Sequence, residues 1–375
     1  MTKKNVIIIM IDGGRLDRAQ NSTVFNNLKS SSIFFSNSIT YGPHTIAAMH
    51  SVFSGCYGTR TGTDSYWSTY DFNKDKFKTL TEYLKKNNYY THADVINALV
   101  LPKQGFDNYI IHDELNDDLS ERHKSLLEHM NVKYLNGENF FLYLHYSKIH
   151  TGIMNEVLKV YDNFSNDFFS NKEKNEKRYD ALFCDAEKYF TEIMNKITQL
   201  NLDKNSIILV MSDHGISVGE KIGERAYGAF CYDYTLRTFT YFLIPNFETM
   251  VISQQIRTID FMPTILELLD IPQDDNFSKL DGMSLIPLIT NQPYPEQYAF
   301  SETGNPLREK APPKRPNVKS IRTSKWKLIF NEHDDSKELY DLESDPNEIK
   351  NLIGTGLNVE TELWEELEKI INTCD

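Results

Sequence analysis

Four short runs of continuous apolar residues constrain this chain most: NVIIIMID (5–12), NFFLYLHYS (139–147), NSIILVMSDH (205–214) and RTFTYFLIP (237–245). A strand covered on one face alternates apolar and polar side chains. Unbroken apolarity over such a length belongs to a strand covered on both faces. Between the runs, FKTLTEYLKKNN (77–88) and YDALFCDAEKYFTEIMNKITQL (179–200) read as helices, the second with apolar residues at three- and four-residue spacing. Strand and helix alternate, so the predicted class is α/β with a mostly parallel, doubly wound central sheet.

The polar stretch NFSNDFFSNKEKNEK (163–177) is expected to be a mobile insertion or surface loop, and FMPTILELLDI (261–271) a helix opened by Pro263. Arg237 is expected to pair with Asp233 or to open the next strand. A Pro-rich connection (294–319) leads to hairpin strands (320–333) and a terminal helix near 360–372. These signals place a main unit at 1–293 and a small C-terminal α+β subdomain, with a short antiparallel sheet and a terminal helix, at 294–375.

Two of the apolar runs end in residues capable of chemistry. Asp12 closes the first and precedes Gly13-Gly14; Asp213 and His214 close the third and precede Gly215. In open parallel sheets, ligands gather at the carboxyl ends of the strands. The chain has 40 Lys and Arg against 53 Asp and Glu, a net charge of −13, which argues against general nucleic-acid binding and leaves any anionic substrate in need of a local cation. Two carboxylates and an imidazole can supply one by holding a divalent metal ion.

Thr45, in YGPHTIAAMHSVFSG (41–55), precedes a helix-like run. Its hydroxyl can cap that helix, or it can join the metal ligands as a nucleophile, and the two readings are compatible. With Thr45 the donors number four, enough for a tetrahedral Zn²⁺ or the base of an octahedral Mn²⁺ or Mg²⁺ site. His150, or else His145, follows the second run as a proton-transfer candidate. Arg15 and Lys148 are candidate contacts to the transferred group's oxygens. The four cysteines form no CxxC pair, no secretory signal stands at the N-terminus, and no apolar run approaches the roughly 18 residues of a membrane span; a cytoplasmic protein is expected.

Taken in order, Asp12-Gly13, the Thr45 segment ending in Ser54-Gly55, SDHG (212–215), IDFMPTILELLDI, LDGMSLIPLI (280–289) and SIRTSKWKLI…ELYDLESDPNEIKNL resemble the sulfatase branch of the alkaline phosphatase superfamily. The resemblance covers nearly the whole chain. It implies a three-layer αβα main domain with a small C-terminal sheet, and metal-dependent cleavage of phosphate, sulfate or related esters. It also exposes departures. The position that true sulfatases give to a formylglycine precursor is Thr45, followed by Ile46-Ala47-Ala48-Met49 in place of x-Pro-Ser-Arg. The usual second Asp is Gly13, Ser147 stands where a further Asp would serve a second metal, and NYYTHADVINAL (88–99) lacks the Lys and His of its counterpart.

Asp12, Thr45, Asp213 and His214 are instead similar to the metal-plus-threonine set of the phosphodiesterase and phosphoethanolamine or glycerophosphate transferase relatives. That likeness implies one divalent ion, with Zn or Mn foremost and Mg or Ca as alternatives, and a small-molecule or glycan-linked anionic ester as substrate. The expected activity is hydrolysis or transfer at a phosphate or phosphonate ester. Its rivals are a sulfate-ester hydrolase that works without formylglycine and a catalytically silent glycan-binding module.

Overall fold

A computed structural model describes residues 4–65, 68–307 and 313–372. Nine strands form the main sheet: β1 (Asn5–Ile11), β2 (Ile33–Ile39), β3 (Tyr90–Val95), β4 (Asn108–Ile111), β5 (Phe140–Tyr146), β6 (Ser206–Met211), β7 (Arg237–Leu243), β8 (Met250–Ile252) and β9 (Ile256–Arg257). Their order is β4-β3-β5-β1-β6-β7-β2-β8, with β9 beside β2. Only β7 runs against its neighbours, β6 and β2. All four apolar runs are strands here, and β5, β1, β6 and β7 fill the middle of the sheet.

The register of β1 shows why its apolarity is unbroken. Ile7, Ile9 and Ile11 pack under helices Leu119–Leu135 and Lys172–Gln199, while Val6, Ile8 and Met10 pack against helices Thr45–Ser54, Leu80–Lys86 and Phe261–Leu268. Every residue from Val6 to Ile11 meets apolar partners on one face or the other. The architecture is a three-layer αβα sandwich.

The expected loop at 163–177 is in part helical. A short helix spans Asn166–Phe169, and the long helix begins at Lys172 rather than near 179. The polar residues are its solvent face: Glu173 pairs with Lys177 one turn on, at 2.7 Å. Asn175 is buried and donates to the carbonyls of Phe168 and Val218, which fastens this turn to the body. The expected helix opened by Pro263 runs Phe261–Leu268, with Pro263 in its first turn.

A second sheet, antiparallel throughout, is made of β10 (Ala299–Thr303), β11 (Val318–Arg322), β12 (Trp326–Asn331) and β13 (Ser336–Asp341). Helix Asn358–Asn372 covers it, with Leu363 and Leu367 buried beside Ile321, Leu328 and Leu339. The sheet is tied to the main body by a buried ionic cluster in which Asp233 accepts from Arg322 at 2.8 Å and Lys327 at 2.9 Å, and Lys327 also meets Glu348 at 2.7 Å. Asp233 is therefore spent on these cations, and Arg237 opens β7 with its guanidinium on the Ser36 carbonyl.

Candidate active site

Strands β1 and β6 are neighbours, so the residues that follow them emerge side by side at the carboxyl edge of the sheet. Asp12, Asp213 and His214 meet there, all buried. Helix Thr45–Ser54 starts at the same point. The cap of that helix is His44, whose Nδ1 accepts from the Ala47 amide at 3.4 Å. Burial pushes the pKa of His44 down to about 3, which keeps its imidazole neutral and able to accept. The capping reading of Thr45 is thereby corrected: Thr45 is the first helical residue, and its hydroxyl is free to face the acidic pair.

Thr45 Oγ1 lies 3.4 Å from Asp12 Oδ2 and 3.4 Å from His214 Nε2. His214 Nε2 in turn lies 3.4 Å from Asp213 Oδ2 and 3.7 Å from Asp12 Oδ1. These separations are long for hydrogen bonds. Separations of this size suit oxygen and nitrogen ligands gathered around one cation rather than bonded to one another. Asp12 Oδ1 and Asp213 Oδ2 are buried with no hydrogen-bond partner among the described residues, as atoms reserved for a cation would be. The outer contacts fit as well. His214 Nδ1 is 2.8 Å from the Gly215 carbonyl, which holds a proton on that nitrogen and leaves Nε2 as a donor of electrons. Asp213 Oδ1 accepts the amides of Gly13 at 3.0 Å and His214 at 2.9 Å, and Asp12 Oδ2 is 3.0 Å from His145 Nε2. The four residues fit a divalent metal ion.

Two glycines make the arrangement possible. Gly13 has φ +70°, and a Cβ there would stand 2.9 Å from Ile216, so the second Asp expected from the resemblance would be strained at this position. At Gly215 a Cβ would lie 2.2 Å from the Tyr234 carbonyl oxygen. Burial raises the pKa of both carboxylates, but their net shifts are opposite. Burial raises the pKa of Asp213, and the neighbouring charge of Asp12 raises it further. Burial also raises that of Asp12, but the hydrogen bond from His145 and the charges of His150, His145 and His214 outweigh it and hold Asp12 at about 2.

With this geometry in hand, comparison with known proteins is decisive on one point. Residues 4–271 match the family described as Sulfatase, and residues 228–373 match the C-terminal region of N-sulphoglucosamine sulphohydrolase. The chain belongs to the sulfatase family. Among its relatives, Arylsulfatase K of Bos taurus is 26% identical over 200 residues, covering 52% of this chain and 36% of that protein. Choline-sulfatase of Rhizobium meliloti (strain 1021) is 24% identical over 188 residues, covering 48% of this chain and 34% of that protein. The matched stretch thus spans about a third of the length of these relatives. Solved structures share the fold over nearly the whole chain: BT4656 in complex with its substrate D-glucosamine-2-N,6-O-disulfate (TM-score 0.73, 17% identity, 100% of this chain and 98% of that one) and the phosphonate monoester hydrolase SpPMH from Silicibacter pomeroyi (TM-score 0.72, 16% identity, 99% and 95%).

The remaining sequence candidates of this sulfatase-family chain fall in different places. His150 stands on the short helix Lys148–Ile153 after β5, partly exposed, with its ring 6.2 Å from that of Tyr227. His145 is wholly buried and orients Asp12. The guanidinium of Arg15 is committed to Asp17 (2.9 and 3.0 Å), Glu220 (2.7 Å) and the Ile216 carbonyl (2.7 Å), and Lys148 donates to the Glu114 carbonyl at 2.9 Å. Both cations are thus directed at protein partners rather than at the mouth of the site.

Sequence reasoning passed over three features. Tyr227 lays its ring 4.6 Å from that of His214 and forms a wall of the site; it lies in a loop without periodicity, which gives no signal. Glu114 follows β4, an exposed edge strand whose four residues are too few to announce themselves. The third feature is a buried chain: Tyr189 to His123 (2.6 Å), His123 to Asp94 (3.2 Å), Asp94 to His112 (2.6 Å) and His112 to Ser147 (2.9 Å). Asp94, His112 and His123 have the spacing of metal ligands. Arg122 also binds Asp94, at 2.6 Å, so the carboxylate is neutralised and each ring nitrogen of the two histidines has a partner, which makes this a satisfied hydrogen-bond network. It anchors Ser147, the residue at which the His150 helix begins.

Proposed function

We propose that this protein is a metal-dependent hydrolase or phosphotransferase acting on phosphate or phosphonate esters, with Thr45 as nucleophile. The observation that carries the reading is Thr45 Oγ1 at 3.4 Å from both Asp12 Oδ2 and His214 Nε2, at the position where true sulfatases have a formylglycine precursor. Asp12, Asp213, His214 and Thr45 would hold the ion, which supplies positive charge that acidifies a hydroxyl and neutralises ester oxygens. Thr45 Oγ1 attacks phosphorus in line with the leaving oxygen. The N-terminus of its helix favours the anionic group that results. His150 gives a proton to the leaving oxygen and then takes one from the water, or the acceptor alcohol, that releases Thr45.

Thr45 itself argues for phosphorus. A formylglycine hydrate sheds sulfate by collapsing to an aldehyde, an exit that a sulfated threonine lacks, whereas phospho-threonine is open to in-line attack. The test is kcat/KM on matched aryl phosphate, phosphodiester, phosphonate and sulfate esters, including sugar-linked ones, with Zn²⁺, Mn²⁺, Mg²⁺ or Ca²⁺. Preference for a phosphorus ester is expected. A tenfold preference for sulfate, about 1.4 kcal/mol of transition-state stabilisation, would overturn it and favour the activity for which the curated relatives are named.

A further inference from the structure

Beneath Tyr227, two buried polar atoms face each other without any other partner. His150 Nδ1 and Glu114 Oε1 are 3.5 Å apart, and among the described residues neither makes a hydrogen bond elsewhere. A buried donor and a buried acceptor left unpaired are both costly, so a slight approach of the two is favoured. Their carriers are already joined. His112 holds Ser147 at 2.9 Å, and the Glu114 carbonyl holds Lys148 at 2.9 Å. Asp113 fastens the loop from inside by accepting the amides of Leu115 and Asn116. The loop after β4 thus grips the first turn of the His150 helix at successive points, and Glu114 is the one aimed at the imidazole.

We propose that Glu114 is the positioning residue for His150. Its carboxylate accepts the Nδ1 proton, which fixes the ring and leaves Nε2 to exchange protons with the reacting oxygens. The inference rests on the reading of His150 given above. In the first half-reaction Thr45 Oγ1, entering as the alkoxide that the second half-reaction releases again, bonds to phosphorus as the bond from phosphorus to the leaving oxygen breaks, and the Nε2 proton passes to the leaving oxygen. In the second, Nε2 takes a proton from water as the bond from phosphorus to Thr45 breaks. The Glu114 carboxylate stabilises the imidazolium. Among the described residues His150 also faces the Tyr227 ring, and the Asp12 carboxylate feels the imidazole's charge; Lys148, on the same helix, is held by the Glu114 carbonyl.

The experiment compares Glu114→Gln, Glu114→Ala, His150→Ala and the double variant Glu114→Ala/His150→Ala on phenyl and 4-nitrophenyl esters of the best phosphorus substrate. Nitrophenolate leaves without a proton and phenolate does not. Glu114→Ala should lower kcat/KM at least about tenfold for the phenyl ester and less than about threefold for the nitrophenyl ester, and should add nothing to His150→Ala. Nitrogen NMR of the metal-free protein should place the His150 proton on Nδ1 and show that preference lost in Glu114→Ala. Equal losses on both esters for Glu114→Ala, with the leaving-group dependence intact in His150→Ala, would overturn the role of Glu114 alone. Absence of that dependence in His150→Ala would overturn the reading of His150 and this proposal with it.

Discussion

Replacing Asp213 by asparagine tests the cation site without any substrate. The carboxylate oxygens that Asp12 and Asp213 offer lie within 4.8 Å of each other, and both residues are buried. Two like charges at that distance repel by about 3.5 kcal/mol at an effective dielectric constant of about 20. In the metal-free protein this repulsion adds to burial, the larger cause, in raising the Asp213 pKa. The amide introduced by Asp213→Asn keeps a carbonyl oxygen to accept from Gly13 and His214, and it removes one of the two charges. The stripped variant should therefore unfold at or above the wild-type temperature. The metal response should show the reverse. A cation at a hundred times its dissociation constant stabilises the wild type by about 2.7 kcal/mol. With an unfolding entropy of about 2.1 cal/mol/K per residue over 375 residues, that is a rise in Tm of about 3 °C. Calorimetry of EDTA-stripped protein with and without Zn²⁺ or Mn²⁺ should show that rise in the wild type and none in Asp213→Asn. A variant that is several degrees less stable when stripped, and still responds to metal, would refute the assignment.

Thr45→Ala should cost at least about 10³-fold in turnover. It should change stability by less than about 0.5 kcal/mol in urea titrations, because His44 and not Thr45 caps the helix. Lys327→Met strands Glu348 as a buried anion and leaves Asp233 to Arg322 alone, and should destabilise by about 3–5 kcal/mol, read as a lower urea midpoint. Burial pushes the pKa of Glu224 from 4.5 up to about 7 even though it accepts from Tyr234, Ala229 and Phe230. A raised carboxyl contributes stability that is complete below pH 4.5 and is lost as pH rises through 7. Glu224→Gln should therefore gain on the wild type by about 3 kcal/mol between pH 4.5 and 8, and a constant difference across that range would contradict the shift.

How much of this was legible in the sequence depended on whether a residue's neighbours in the chain were also its neighbours in chemistry. Asp12, Asp213 and His214 each end an apolar run, so strand and ligand are read together. The strands passed over break that rule. In β3, YTHADV, His92 and Asp94 interrupt the apolar pattern because Asp94 is satisfied by His112, His123 and Arg122, which come from residues 112–123. In β2, IFFSNSI, the polar residues Ser36 and Asn37 fall at an irregularity in its pairing with β7. Partners supplied from elsewhere make a polar strand stable, and a local pattern carries no trace of them.

The cap at the head of the Thr45 helix shows the same limit from the other side. A hydroxyl before a helical run is an ordinary cap, and nothing local to the sequence says that an adjacent histidine takes that duty. Once His44 does, Thr45 is left with the acidic pair, and the charge of the site follows. Asp12 and Asp213 contribute two negative charges, a divalent ion cancels them, and His214 is neutral as a ligand. An ester entering this site would meet no net positive charge from these groups, and the cations of Arg15 and Lys148 are already committed to Asp17, Glu220 and backbone carbonyls. Such a site suits an ester bearing one negative charge better than one bearing two, because every added charge enters a buried setting in which these groups offer no counterion. Phosphodiesters and phosphonate monoesters carry one at neutral pH and phosphate monoesters carry nearly two. Within the ester comparison that tests the function, the phosphorus esters should therefore separate by charge as well as from sulfate.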